Sequence, residues 1–222
     1  MGTIAVATGR LIGCLLVAVA LVSCSGPQMS YVKTGDVGES RAAAFFRLPA
    51  DWATFDGDEI FESLAGAGGE SSATQEQLAA TQWVLAFDAD PAPSIDHLGQ
   101  TGKHPVGFAR VRTISPMESN FTEDDLRNEV FRIDQLQSSE GFELLASEDL
   151  KFHEGIVGSR LTYSLETGTG KATVGQVGAY DSEARVAYML VVLCESVCYD
   201  DNEEELNRLM DSWTMEVGTG GG

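Results

Sequence analysis

The sequence predicts one α+β domain that is richer in strands than in helices. In the C-terminal half, apolar residues recur at every second position, as in half-buried strands, and Leu161, Tyr163 and Leu165 show this alternation clearly. Residues 167–171, Thr-Gly-Thr-Gly-Lys, are typical of a β-hairpin turn. Two other segments, in the middle of the chain and near its C-terminus, have the period of about 3.6 residues that marks amphipathic helices.

Three strands and a loop are predicted before the middle helix. Residues 42–48 form a short apolar run that Pro49 ends. Residues 83–87 and 106–114 are two further apolar runs of strand length. Residues 63–74 are rich in Gly, Ser and Ala, which predicts a mobile loop.

The middle helix is predicted to begin at Thr122. Three acids follow this threonine, and the combination suits a helix N-terminus, because the hydroxyl caps backbone amides and the acids lie at the positive end of the helix dipole. Apolar residues then follow at spacings of four and three, which predicts one long helix with a single apolar stripe. The stripe consists of Leu126, Val130, Ile133 and Leu136 or Gln137.

The C-terminal part is predicted to hold a central strand, a helix and an edge strand. Residues 186–193 are almost wholly apolar, as in a strand covered on both faces. Asn202 and Glu205 suggest a capping box at the start of the helix. Residues 215–217 would form the edge strand, followed by a frayed tail over 218–222. The inner stripe of the helix would be Leu206, Leu209 or Met210, and Trp213.

The N-terminal segment indicates a secretion signal. Residues 11–22 form an apolar run that would span about 18 Å as a helix, against a hydrocarbon core of about 30 Å, so they suit a signal peptide better than a membrane span. The sequence Leu21-Val22-Ser23-Cys24 resembles the bacterial lipobox. This resemblance implies that residues 1–23 are removed and that Cys24 carries acyl chains such as palmitate. An ordinary signal peptide cut nearby is the alternative.

The lipobox interpretation places the protein at the extracytoplasmic face of the cell membrane, held by its lipid anchor. Two acyl chains bind a bilayer stably where one does not. Residues 24–40 hold few apolar residues and three glycines, and they are predicted to form a flexible tether. A single domain over 41–217 would follow.

The charge balance is strongly acidic. The chain has 34 Asp and Glu against 14 Lys and Arg, a formal net charge of −20 at pH 7. Such a surface disfavours nucleic acids and anionic lipid headgroups, which bind clustered cations. A hydrophobic content of 43% predicts a packed core instead of a disordered chain.

Two of the four cysteines, Cys194 and Cys198, remain once Cys14 leaves with the signal and Cys24 takes the lipid. In an oxidising exterior they are predicted to form a disulfide. A straight strand would hold their Cα atoms about 13 Å apart, which is too far for a disulfide. The chain is therefore predicted to turn at residues 195–197. A redox-active pair is the alternative, although the Cys-x-x-Cys spacing is missing.

The sequence contains no recognisable catalytic or metal-binding constellation. The three histidines, His97, His104 and His153, lack the spacing and partners of a zinc site, which needs three or four convergent ligands, so we interpret them as loop or surface residues. The acidic runs at 88–96 and 200–203 lack the calcium-loop pattern, and weak calcium binding is the alternative to solvated turns. No catalytic residue, metal or cofactor is predicted.

Two short motifs bracket the predicted domain: residues 46–52, Phe-Arg-Leu-Pro-Ala-Asp-Trp, and residues 209–215, Leu-Met-Asp-Ser-Trp-Thr-Met. With the order of elements between them, the chain resembles the PsbP-like group of α/β/α sandwiches over about 41–217. Within that group it is similar to the secreted actinobacterial lipoproteins of the LpqN kind. The resemblance implies a twisted antiparallel sheet covered by helices and a non-catalytic binding or accessory role in the cell envelope.

Three functional hypotheses follow. In the first, the sheet and a helix enclose an apolar groove for an envelope lipid or glycolipid. Candidate lining residues are Trp52, Trp83, Phe108 and Tyr163, with plain core packing as the alternative for each. In the second, an acidic scaffold docks a basic protein partner and holds no small molecule. An undetected hydrolase is the third. A sizeable cavity would favour the first, and a filled core with an exposed apolar patch the second.

Overall fold

The computed structural model describes residues 28–37, 42–68, 81–152, 155–168, 170–183 and 185–217. Ten strands lie within these residues: β1 Met29–Lys33, β2 Ala42–Pro49, β3 Ala53–Asp56, β4 Gln82–Asp88, β5 Val106–Thr113, β6 Glu143–Lys151, β7 Ile156–Thr167, β8 Gly170–Asp181, β9 Val186–Glu195 and β10 Thr214–Val217. The helices are α1 Gly57–Gly68, α2 Glu123–Arg127, α3 Ile133–Leu136, α4 Ser196–Asp201 and α5 Glu203–Asp211, with a 3₁₀ helix at Ile95–Gly99.

The strands form two antiparallel sheets. The large sheet has seven strands in the order β3-β4-β5-β9-β8-β7-β6, and the small sheet has three in the order β1-β2-β10. The most apolar strand, β9, is central in the large sheet, as predicted, because only a central strand can bury both of its faces. The predicted α+β class with an antiparallel sheet is confirmed.

The large sheet is covered differently on its two faces. On the first face, which includes Tyr188 and Leu190 of β9, the cover is the small sheet together with α4 and α5. On the second face, which includes Met189 and Val191, the cover is the segment that carries α2 and α3. Helices therefore lie on both faces, and the small sheet is an additional layer.

Buried contacts join the small sheet to the large one. The hydroxyl of Tyr188 donates a 2.8 Å hydrogen bond to the backbone carbonyl of Ala42. The ring of Phe46 in β2 lies 6.1 Å from that of Trp213, which follows α5. The predicted inner stripe of this helix is confirmed, since Leu206, Leu209, Met210 and Trp213 are all buried.

The large side chains that join the two sheets on the first face are therefore buried. The predicted capping box of α5 is wrong, because the side chain of Asn202 donates to the carbonyl of Cys198 at 2.8 Å and makes no cap hydrogen bond.

The predicted long middle helix is wrong. Its N-terminus is correct, since Thr122 and Asp125 form a reciprocal capping box. The helix ends at Arg127, however, because Asn128 bonds both the carbonyl of Asp124 at 2.8 Å and the amide of Asp134 at 2.9 Å. Local side-chain bonds of this kind compete with helical hydrogen bonds, and two short helices result.

The prediction of a flexible tether over 24–40 is wrong for β1, which pairs with β2 along its whole length. After β1, the hydroxyl of Thr34 accepts a hydrogen bond from the amide of Ala44 at 3.1 Å. The fold therefore includes residues before 41. Residues 1–23 and Cys24 lie outside the described residues.

Two other predicted segments are partly covered by the structure. The loop expected over 63–74 is wrong as far as Gly68, where α1 ends, and residues 69–74 lie outside the described residues, as does the tail at 218–222. None of the helices in the described ranges is long and apolar enough to cross a membrane.

The predicted disulfide between Cys194 and Cys198 is confirmed, with the two Cα atoms 5.9 Å apart. The chain leaves β9 after Glu195 and enters α4 at Ser196, which is the predicted turn. The disulfide therefore links the end of the central strand to the first turn of the C-terminal helical region.

A substitution at Gly107 tests how closely the first face is packed. A Cβ atom at this position would lie 2.1 Å from the carbonyl oxygen of Val191 and 2.5 Å from the ring of Phe87. We expect Gly107→Ala to lower the free energy of unfolding by about 1–3 kcal/mol, the usual cost of overpacking. Gly102→Ala is the matched control, because a Cβ there meets nothing within 4 Å. Equal urea midpoints for the two variants would contradict this packing.

Candidate ligand-binding pocket

An apolar cavity of about 520 Å³ lies on the second face of the large sheet. Four neighbouring strands contribute to it, and two loops close its sides: one follows the 3₁₀ helix and the other lies between α2 and α3. The lining residues are Leu98, Gly99, Gln100, Thr101, Phe108, Val130, Phe131, Leu165, Thr167, Gly168, Ala172, Val174, Val191 and Leu193.

The lining contains no charged side chain, although the chain has 34 acidic residues. The polar side chains are Gln100, Thr101 and Thr167, all of them neutral. The volume falls within the range of about 300–1,000 Å³ that is usual for small-molecule pockets. An uncharged cavity of this size suits an apolar ligand with a neutral polar group.

Several apolar side chains that are only partly buried on the second face line the pocket. Phe108, Leu165 and Leu193 come from the strands, and Val130 and Phe131 come from the loop between α2 and α3. Each has apolar surface that its neighbours do not cover. A ligand in the cavity would bury this surface, and such burial stabilises by about 25 cal/mol per Å².

The wall formed by Val130 and Phe131 is held in place by Arg112 of β5. Its guanidinium donates to both carboxylate oxygens of Glu129, at 2.5 and 2.7 Å, and to Glu118 at 2.9 and 3.0 Å. The hydrogen bonds to Glu129 raise the pKa of Arg112, and the bond from Arg112 lowers the pKa of Glu118. The residue just before Val130 is thus tied to the sheet.

The opposite wall is held by Asp88, at the end of β4. This fully buried carboxylate accepts the backbone amides of Asp90 at 2.8 Å and Ser94 at 2.9 Å, and it bonds Nδ1 of His97 at 2.8 Å. Burial raises the pKa of Asp88, but these hydrogen bonds outweigh it, so the pKa lies below the usual 3.8. His97 directly precedes Leu98, so the pair positions the start of this wall.

His97 is bonded to the carboxylate of Asp88, as a catalytic general base is bonded to its orienting acid, but a nucleophile beside it is missing from the described residues. In the part of the chain that the structure describes, no serine, threonine or cysteine is hydrogen-bonded to the imidazole. His104 lies 3.9 Å from Asp90. The described residues contain no group of three His, Cys, Asp or Glu side chains that could hold a metal ion, and His153 lies outside them.

Of the four predicted lining residues, the structure brings only Phe108 into the pocket. Tyr163 is fully buried beside it, with its ring 6.2 Å from that of Phe131. Trp52 and Trp83 pack on the first face, so the four residues do not share one groove. Sequence reasoning missed Val130 and Phe131, because they were assigned to one continuous helix.

No protein-family model and no curated protein matches this chain. Among solved structures, cyanobacterial PsbP from Synechocystis is 14% identical, with a TM-score of 0.46, and covers 94% of this chain and 100% of that one. LpqN of Mycobacterium tuberculosis, involved in cell envelope biogenesis, is 16% identical, with a TM-score of 0.44 and coverages of 84% and 91%. The Ran-binding protein Mog1p of Saccharomyces cerevisiae is 10% identical, with a TM-score of 0.42 and coverages of 86% and 96%.

These neighbours include a PsbP protein and LpqN, the two kinds of protein to which the motifs at 46–52 and 209–215 are similar. At such identities and TM-scores they assign neither a family nor a function.

Arg112→Ala tests the wall of the pocket. The side chains of Arg112 and Glu129 are only 14% and 12% exposed, so the substitution leaves a mostly buried carboxylate with only the longer contact to Arg110, at 3.5 Å. We expect a loss of about 3 kcal/mol in the free energy of unfolding. Arg132→Ala removes an exposed pair with Asp134 and is the control, with no measurable change expected. A loss for Arg112→Ala no larger than the control's would contradict the role of this pair.

Acid stability tests the carboxylates that hold both walls. The pKa values of Asp88 and Glu118 are lower in the folded protein than their usual 3.8 and 4.5. Their contribution to stability is therefore complete above about pH 5 and is lost as pH falls through the folded values. We expect urea midpoints that are flat above pH 5 and fall below it. Asp88→Asn should lower the urea midpoint at pH 7 and make the midpoint fall less steeply below pH 5. An unchanged pH dependence in this variant would contradict the role of Asp88.

Proposed function

We propose that this chain is a non-catalytic, lipid-anchored binding protein of the extracytoplasmic membrane face, and that its pocket holds the apolar chain of an envelope lipid or glycolipid. The observation that carries the proposal is an uncharged cavity of about 520 Å³ in a chain of net charge −20. Charged side chains hold the walls of the pocket from outside, and none lines it.

The lipobox-like sequence that ends at Cys24 supports the membrane anchor. The disulfide between Cys194 and Cys198 supports an oxidising compartment, since such bonds persist outside the cytosol. Both features favour a location outside the cytoplasmic membrane.

The polar residues of the pocket indicate which headgroup would fit. The polar side chains of the pocket, Gln100, Thr101 and Thr167, are neutral amides and hydroxyls. Two of their donors are already used, since Gln100 donates to the carbonyl of Asp96 and Thr167 donates to that of Gly170. A neutral lining of this kind suits hydroxyls better than charged groups. No Lys or Arg lines the cavity, so a phosphate headgroup would lack a cationic partner there. We therefore favour a neutral, hydroxyl-bearing ligand, such as a glycolipid, over a phospholipid.

Among the described residues, no nucleophilic side chain is bonded to His97, and this favours binding over hydrolysis. The experiment that tests ligand carriage is native mass spectrometry of residues 25–222, purified without detergent from a host with a lipid-rich envelope. A discrete added mass that organic solvent removes is expected. A clean apo mass would contradict tight lipid carriage and favour an acidic scaffold for a basic protein.

A charge placed in the pocket should weaken the binding of an apolar probe. N-phenylnaphthylamine, an uncharged fluorophore, is expected to bind the purified domain saturably. Leu165→Glu should weaken its binding about tenfold or more, since an apolar ligand would then face a carboxylate, a cost above 1.4 kcal/mol. Fluorescence titration measures the effect.

The control is Val157→Glu, in the same strand and on the same sheet face. It lies eight residues from Leu165, about 26 Å along the strand, and Val157 is already 40% exposed. The control should bind the probe as the unsubstituted protein does. Equal loss in both variants, or in neither, would contradict the assignment of this pocket.

A further inference from the structure

In the part of the chain that the structure describes, no strand or helix packs over one face of the small sheet, although Arg208, Asp211 and Ser212 border it. Its inner face is buried by Phe46, Ala44 and Leu48, whereas the outer side chains are partly or fully exposed. Tyr31, at the centre of this outer face, is 72% exposed. The outer face consists of Met29, Tyr31, Lys33, Ala43, Phe45, Arg47, Thr214 and Glu216.

The chain that would reach the membrane enters the fold at this sheet. Only five peptide steps separate Cys24 from Met29, the first residue of β1. A fully extended chain of five residues spans at most about 18 Å. A lipid on Cys24 would therefore hold β1 close to the headgroups, instead of at the end of a long tether.

The outer face differs in charge from the rest of the molecule. Its charged side chains are Lys33, Arg47 and Glu216, a formal charge of +1, whereas the whole chain carries −20. Charges interact across water over about 8 Å at physiological ionic strength. The acidic chain as a whole is repelled by an anionic bilayer, and this face adds no net negative charge to that repulsion.

The outer face also carries side chains that suit headgroups. The guanidinium of Arg47 lies 4.8 Å from the ring centroid of Tyr31 and donates to its hydroxyl at 2.5 Å. No carboxylate among the described residues is bonded to Arg47, so its charge is available to a phosphate oxygen. Tyr31 is one of the aromatic residue types that are enriched where protein meets headgroups.

We infer that the outer face of the small sheet is the surface that this protein lays against the phospholipid headgroups of its anchoring membrane. The inference rests on the Cys24 anchor of the proposed function. The small sheet covers the first face of the large sheet, and the pocket lies on the second face. Docking in this orientation turns the pocket away from the anchoring bilayer.

Amine footprinting tests this orientation. Residues 24–222 are coupled through the thiol of Cys24 to a maleimide lipid in phosphatidylcholine–phosphatidylglycerol vesicles, while Cys194 and Cys198 stay in their disulfide. A water-soluble acylating reagent and peptide mass spectrometry then report on Lys33, on the outer face, and on Lys103, an exposed residue of the loop before β5. Coupling should slow acylation of Lys33 several-fold and leave that of Lys103 unchanged.

Arg47→Glu should restore the acylation rate of Lys33 on vesicles to that of the uncoupled protein. Arg132→Glu makes the same charge change at an exposed residue of the other cover and should leave the protection of Lys33 intact. Arg47→Gln, with a smaller charge change, replaces Arg47→Glu if that variant does not fold. Unprotected Lys33, or equal slowing of Lys33 and Lys103, would overturn the inference.

The maleimide lipid supplies the anchor, so a failure of docking leaves the proposed lipidation of Cys24 standing. That modification is tested separately, by the mass of the N-terminal peptide of the native protein. Binding of N-phenylnaphthylamine tests the pocket without any membrane.

Discussion

The position of the pocket wall formed by Val130 and Phe131 depends on Arg112. This side chain projects from β5 on the second face and holds two carboxylates that are six and seventeen residues further along the chain, those of Glu118 and Glu129. The bonds to Glu129 tie the segment after α2 to the sheet, just beyond the point where Asn128 ends the helix. Val130 and Phe131 stand at the side of a cavity as a result, instead of lying on the buried stripe of a long helix.

The two faces of the large sheet are completed in different ways. On the first face, a sheet and a helix supply large apolar residues such as Phe46 and Trp213, which are buried against each other. On the second face, two short helices supply fewer apolar residues, of which Leu126 and Ile133 are the fully buried ones. Beside these two helices, part of the apolar surface of the strands stays uncovered. The cavity is the consequence of this unequal cover, and charged groups at its margins keep it open.

The sequence predicted the elements whose determinants are local. The strands β2, β4, β5 and β9, the disulfide and the inner stripe of α5 follow from patterns within about ten residues. The tether and the long helix were wrong, because β1 is stabilised by pairing with β2 and the side chain of Asn128 ends the helix by bonding to Asp124 and Asp134. The segment that follows is then bound to Arg112 in another strand. Of the pocket, only Phe108 was predicted. Which apolar residues stay uncovered is decided by tertiary packing, and no local pattern encodes it.

The position of β1 connects the anchor to the pocket. Because β1 lies in the small sheet, a lipid on Cys24 would attach to the layer that covers the first face, and the large sheet would separate it from the cavity. A ligand could then leave the cavity without passing through the anchoring bilayer. The strongly acidic remainder of the surface would point away from the same membrane, where repulsion from anionic headgroups is weakest. Short linkage, charge distribution and the unequal cover of the sheet thus favour one orientation, in which the pocket opens toward the far side of the envelope.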